Sequence, residues 1–212
     1  ASDEVTAPMT GPSADGTDRR DGLSASAPGA TTGGRVAEPR LGAQTVAIMH
    51  AAAAVAGQRI FDRAASDPAL FGMGTTLTAV YFDGDRLHLA HVGDSRGYLL
   101  RDRSLRQLTR DHSWVAEQLR AGTISAEEAK TSKFRHVITR SVGFERTVDC
   151  DAMSVAIEPG DLLLLCSDGM SNYVEHAELE QVLATTWTAQ VADRLVGLAN
   201  ARGGDDNITV VV

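Results

Sequence analysis

The run Asp161-Leu162-Leu163-Leu164-Leu165-Cys166, followed at once by Ser167-Asp168-Gly169, constrains this chain more than any other stretch. Four consecutive leucines bounded by turn residues read as a buried strand, and the turn that ends it is acidic. A carboxylate in that place either bonds its own backbone as a turn residue or is a ligand held by the strand behind it. The pattern recurs. Gly93-Asp94-Ser95 follows the strand-like RLHLAHV (86–92), and Gly204-Asp205-Asp206-Asn207 precedes ITVVV (208–212). Three acidic turns at the ends of core strands can meet at one sheet edge. Clustered carboxylates repel unless a cation neutralises them, and hard oxygen donors without His or Cys suit Mg²⁺ or Mn²⁺ better than zinc. Gly169 fits this role by allowing a turn in which backbone approaches a ligand closely.

The rest of the chain supplies the layers. Residues 1–40 hold four of the six prolines and almost no apolar periodicity, so they read as a flexible segment preceding a domain over 41–212. LGAQTVAIMHAAAAVAGQRIFDRAA, with Val46, Met49, Val55 and Ile60 along it, predicts a long helix. GTTLTAVYF (74–82), RLHLAHV (86–92) and RGYLLRD (96–102) predict an antiparallel meander with acidic turns. Asp111 to Lys133 is polar and helical, and Ser125 with Glu128 forms a capping-box pattern. HVITRSV (136–142), DAMSVAI (151–157) and DLLLLC (161–166) predict strands. Helices follow near 176–185 and 188–201, the second capped by Thr188, and NITVVV closes the chain as a strand. Sheets covered by helices, an α+β layered architecture, are expected.

Composition excludes several classes. At 212 residues the chain can bury a core without disulfides or structural metal. A net charge of −8 argues against nucleic acid as partner. Cys150 and Cys166 give no disulfide framework and suit a reducing cytoplasm. No apolar run reaches membrane-spanning length and no signal segment opens the chain, so a cytoplasmic protein is expected.

GMGTTLTAV, AHVGDSRGYLLRD, LTRDHSWV, ITRSVG, LLLLCSDGMSNYV and GGDDNITVVV together resemble, in order and spacing, the bacterial PP2C-type (PPM) protein serine/threonine phosphatases. The resemblance covers residues 72–212. It implies an α-β-β-α sandwich of two antiparallel sheets and metal-dependent hydrolysis of phosphoserine and phosphothreonine in proteins. It also implies Asp168 and Asp206 as ligands and catalytic residues of a Mn²⁺ or Mg²⁺ pair, and Asp94 as ligand of a third ion. The segment 111–135 matches the flap beside that site. Phosphorylated proteins, with a cognate Ser/Thr kinase, are the implied partners, and a monomer is expected. The mechanism needs no protein nucleophile, since two cations can activate a water and stabilise attacking and leaving oxygens.

The N-terminal region departs from the family. Its members begin with a strand bearing an Arg and an Asn-Glu-Asp run, then a second strand ending in Ala-Asp-Gly-Met-Gly-Gly. Neither strand is visible in residues 1–40, although Ala14-Asp15-Gly16 copies three letters of the second motif. Asp15 and Gly16 are therefore candidates for the bridging ligand. The expectation is an atypical or truncated N-terminal region, open sheet edges and weak turnover. The alternative to an active enzyme is a catalytically impaired PP2C-like module that regulates or binds phosphoproteins.

Other residues carry competing readings. Gly93-Asp94-Ser95-Arg96-Gly97 satisfies G-x-S-x-G, but a nucleophile elbow needs a strand–turn–helix, and here a strand follows. His88 and His91 point to opposite faces of a strand, so one is expected buried and the other solvated. His112 is expected as a polar helix-start residue, with transient contact to substrate as the alternative. Cys166 reads as an inert buried thiol, and Met49, Met73, Met153 and Met170 as core.

Overall fold

A computed structural model describes residues 39–212. Asp15, Gly16 and the segment before Pro39 lie outside the described residues. The first helix, α1 (Pro39–Ser66), starts two residues before Leu41. Met49, Ala53, Ala56 and Ile60 recur at helical spacing and pack on the first sheet, whereas Val55 is exposed.

That sheet has the order β1–β2–β5, formed by β1 (Leu77–Asp83), β2 (Arg86–Val92) and β5 (Asp151–Ala156), all antiparallel. The second has the order β4–β3–β6–β7, with β3 (Arg96–Arg101), β4 (Ser104–Gln107), β6 (Leu162–Cys166) and β7 (Val210–Val211), also antiparallel. The expected meander is therefore wrong. β1 and β2 form a hairpin, but at Gly93-Asp94-Ser95 the chain leaves one sheet and enters the other. HVITRSV is not a strand either: among the described residues it makes only isolated bridges, Ser113 to Ile138, Thr75 to Val142 and Val142 to Glu145, and Val137 and Ile138 are exposed. β-branched alternation marks extended backbone there, but among the described residues no neighbouring strand completes a ladder.

Three apolar clusters separate four layers. Ala53, Ala90 and Val92 fill the space between α1 and the first sheet. Leu87, Leu89, Leu99 and Leu108, joined by Leu163, fill the space between sheets. Leu164, Cys166 and Leu100 meet the helices α5 (His176–Thr185) and α6 (Thr188–Ala201) through Leu179, Val182, Val191 and Leu195. This is the α-β-β-α sandwich, and it explains the leucine run. Leu164 faces the helices while Leu163 faces the opposite sheet, so β6 is covered on both sides and needs no polar alternation. α6 begins at Thr188, with Trp187 in the cap position and no side-chain cap bond, so Thr188 is not the cap. The capping box is present: Ser125 Oγ accepts from Glu128 N–H, and Glu128 accepts from Ser125 N–H, at the start of α3 (Ala126–Thr131). α2 (Trp114–Arg120) precedes it. Among the described residues β1 and β7 are sheet edges. A cavity of about 750 Å³ lined by Val80, Phe82, Leu99, Leu163 and Val212 opens between the sheets there.

Arg101, at the end of β3, ties the second sheet to the turn before β6. Its Nη2 and Nε donate to Asp161 at 2.6 and 2.8 Å, and Nη1 donates to Glu158 at 2.8 Å. The Arg101 guanidinium holds the Asp161 carboxyl below the ordinary carboxylate range. A depressed folded-state pKa stabilises the fold above the unfolded value, near pH 3.9, and that stabilisation disappears as pH falls through the folded value. Asp161→Asn should therefore lower the melting temperature by several degrees at pH 7. The difference from the parent should shrink steadily below about pH 4. Thermal melts followed by circular dichroism from pH 7 to pH 2.5 check this; a constant difference would show that the ion pair does not contribute.

Candidate active site

The candidate site sits where strands of the second sheet end. β6 finishes at Cys166, Ser167 stands in the cap position of the short helix α4 (Asp168–Ser171) without a side-chain cap bond, and Asp168 is its first residue. Ser167 stitches this terminus to the last loop: its N–H donates to Thr209 O at 3.0 Å, its Oγ donates to Asn207 O at 3.2 Å, and Thr209 N–H donates to its Oγ at 3.0 Å. Gly169 explains how the two loops fit. A Cβ there would lie 2.5 Å from Asn207 O. The glycine is therefore required for backbone-to-backbone approach inside a helix, not for an open turn beside a ligand as its sequence suggested.

The loop carries two aspartates that differ in their ties. Asp205 Oδ2 accepts from Tyr173 Oη–H at 2.9 Å. Asp206 accepts only the following amide, Asn207 N–H, at 2.7 Å, and has no ionic partner among the described residues. Asp168 is similarly unburdened, accepting from Asn172 Nδ2 at 3.4 Å. The structure thus ties up Asp205 and leaves Asp168 and Asp206 available.

Asp94 arrives from the other side, on the corner between sheets. Gly93 has φ +113°, and a Cβ would lie 2.4 Å from Thr76 Cγ2, so both its conformation and the space around it require glycine. Burial pushes the Asp94 carboxyl up to about 6, and the neighbouring Asp168 carboxylate adds to the shift. Asp94 and Asp168 are therefore close enough to repel. Among the described residues no three His, Cys, Asp or Glu side chains converge as a closed metal site. As carboxylates without an ion pair among the described residues, the donors fit a hard divalent cation in kind.

Sequence reasoning missed what holds the corner. His112 is buried; its backbone N–H donates to Gly93 O at 2.8 Å, while Gly93 N–H donates to its Nδ1 at 3.1 Å. His112 Nε2 lies 3.3 Å from Asp151 Oδ2 without hydrogen-bond geometry. It stands at the start of α2, directly before the cap Ser113, as expected, but it is buried and not solvated there. The signal available was its place immediately before the helix cap Ser113. His88 and His91 do face opposite sides of β2, yet both are buried, because α1 covers one face and the second sheet the other. His88 Nδ1 bonds Ser154 Oγ at 2.7 Å, and His91 bonds Thr78 Oγ1 and Arg110 O at 3.0 Å each. Burial raises the Cys166 thiol to about 12, so it is inert as expected. Ser95 Oγ shares a hydrogen bond with Thr76 Oγ1 at 3.1 Å and precedes a strand, so no nucleophile elbow exists.

A four-layer sandwich with acidic loops gathered at the ends of its sheets defines a class, that of the metal-dependent phosphatase fold. The protein phosphatase 2C profile matches residues 42–208, and the chain belongs to that family. The serine/threonine phosphatase stp of Listeria monocytogenes is 45% identical over 150 residues, which are 70% of this chain and 60% of that protein. The chain thus spans about 60% of the length of such relatives. The Mycobacterium tuberculosis serine/threonine phosphatase PstP superposes with a TM-score of 0.68 at 36% identity, covering 81% of this chain and 80% of that one. The catalytic domain of PstP in complex with two manganese ions gives a TM-score of 0.71 at 40% identity, covering 78% and 69%.

The contact at Gly169 makes a testable claim. Gly169→Ala drives a methyl into the Asn207 carbonyl and should destabilise the protein by about 1–3 kcal/mol. Gly197, also helical, has open space around its would-be Cβ. Gly197→Ala should be neutral or stabilise by roughly 0.5–1 kcal/mol. Urea denaturation of both variants decides; equal effects would remove the close-approach account.

Proposed function

We propose that this chain is a metal-dependent protein phosphatase domain that hydrolyses phosphoserine and phosphothreonine with a water as nucleophile. The observation that carries the reading is the convergence of the Asp168 and Asp206 loops across Gly169, with Asp94 near enough to Asp168 to raise its own pKa. Membership in the protein phosphatase 2C family and the two manganese ions of the PstP catalytic domain support it.

The residues present divide the work. Asp168 and Asp206 would hold Mn²⁺ or Mg²⁺, and Asp94 would serve a third ion. Such cations lower the pKa of water and offset charge on phosphoryl oxygens. Among the described residues, neither Cys166, which is buried and protonated, nor Ser95, whose hydroxyl is bonded to Thr76, is set up as a competing nucleophile. Ser167 and Gly169 position Asp168 against the Asn207 loop, and His112 and Thr76 position Gly93 and with it Asp94. Asp15 remains a candidate bridging ligand, and the segment 111–135, containing α2 and α3, a flap over the substrate. A cytoplasmic location agrees with the free, buried cysteines, and no described helix is long and apolar enough to cross a membrane. Phosphoproteins, made by a Ser/Thr kinase, are the substrates proposed.

Turnover of para-nitrophenyl phosphate should require added Mn²⁺ or Mg²⁺ and vanish in EDTA. Asp168→Asn and Asp206→Asn should each reduce it by about 100-fold or more, with Asp94→Asn milder and Ser95→Ala least affected. Full turnover in chelator, or Ser95→Ala as the inactive variant, would defeat this reading. Tight phosphopeptide binding without turnover would support the alternative of an impaired regulatory module.

A further inference from the structure

Beside Asp94 lies an open groove of about 830 Å³ between the α2–α3 segment and α4. Its lining includes five basic side chains, Arg96, Arg110, Arg120, Lys130 and Arg135, against three acidic ones. That balance is opposite to the chain as a whole, whose net charge is −8. The five are not equivalent. Arg96 is spent on Asp111, which it grips with Nε at 3.0 Å and Nη2 at 2.6 Å. Lys130 is spent on Glu175 at 2.9 Å and Glu127 at 3.6 Å.

Arg110, Arg120 and Arg135 remain. All three are exposed, and none has a carboxylate partner among the described residues; Arg120 makes one bond, from Nη1 to the Asp111 carbonyl at 3.2 Å. Asp111 and Glu175 are neutralised by Arg96 and Lys130, and Asp94 belongs to the proposed metal site. Three guanidiniums are therefore left uncompensated in one groove that runs up to that site. A guanidinium presents a planar fork of donors matched to carboxylates, and three along a groove favour an acidic strand of polypeptide over a neutral one.

We infer that this groove receives the polypeptide flanking the phosphorylated residue and selects substrates with aspartate or glutamate beside phosphothreonine or phosphoserine. The inference rests on the phosphatase reading for the orientation of the peptide, but its test does not depend on turnover. The negative net charge of the protein would by itself repel such a peptide, so a preference for acid must come from a local site.

The experiment uses the full chain with Mn²⁺ and fluorescein-labelled phosphothreonine peptides flanked by Glu, Gln or Lys, with binding read by anisotropy. The Glu peptide should bind about tenfold more tightly than the Gln peptide, a difference of roughly 1.4 kcal/mol. Raising the salt should narrow that gap. The double variant Arg110→Gln/Arg120→Gln should abolish the preference. Arg59→Gln/Arg106→Gln makes the same change in net charge outside the groove and should keep it. Equal affinity for Glu and Gln peptides, or a preference that survives in the groove variant, overturns the inference. Para-nitrophenyl phosphate turnover, measured in parallel, separates the two readings. Metal-dependent turnover without acidic preference sinks the groove alone, whereas acidic preference without turnover supports the groove and sinks the hydrolase.

Discussion

The site depends on one backbone corner. At Gly93 the chain turns from β2 of one sheet into β3 of the other, at a φ that favours glycine and against a threonine that leaves no room for a side chain. The sheets are already packed through Leu87, Leu89, Leu99 and Leu163, so the corner cannot relax by separating them. His112 then fixes it from the side, bonding both the N–H and the carbonyl of Gly93. A carboxylate placed one residue later, at Asp94, inherits that rigidity. The same logic holds at Gly169, where the absence of a side chain lets two loops lie backbone to backbone.

Rigidity has an electrostatic cost that a flexible surface would avoid. Free aspartates rotate apart and stay solvated, whereas Asp94 is partly buried and faces the Asp168 charge. Burial first, and then the Asp168 charge, raise its pKa. Holding like charges near each other is unfavourable for an empty fold and favourable for one that binds a cation, and this is the physical basis for proposing Asp94 and Asp168 as ligands.

Much of this was legible in the sequence, and the failures have physical causes. α5, α6 and the capping box at Ser125 were readable because each depends on residues close in sequence. The meander was misread because Gly93-Asp94-Ser95 has the composition of a hairpin turn, and only the partners of β3 reveal the change of sheet. His88 and His91 looked half-exposed because strand alternation gives the face but not what covers it, and β2 is covered twice. Gly169 was read as serving a turn beside a ligand, whereas its constraint comes from Asn207, far along the chain. His112 acts through Gly93, a contact between distant segments that no local pattern announces. What the sequence concealed was therefore long-range contact, not chemistry.

The treatment of Arg96 shows how the fold keeps Asp94 available. Two residues from a carboxylate, a guanidinium would ordinarily be drawn to it, and an ion pair there would compete with any metal. Instead Asp111 takes the fork on two nitrogens, and Tyr98 Oη accepts from Nη1 at 3.3 Å. Gln107 donates to the same Asp111 carboxylate at 3.1 Å, fixing it from a second strand. Burial works against the Arg96 charge, yet Asp111 keeps it firmly protonated. Asp111 therefore does for Arg96 what Tyr173 does for Asp205: each occupies a neighbour that would otherwise crowd the site. The chemistry proposed for Asp94, Asp168 and Asp206 thus depends as much on where the surrounding charges are committed as on the carboxylates themselves.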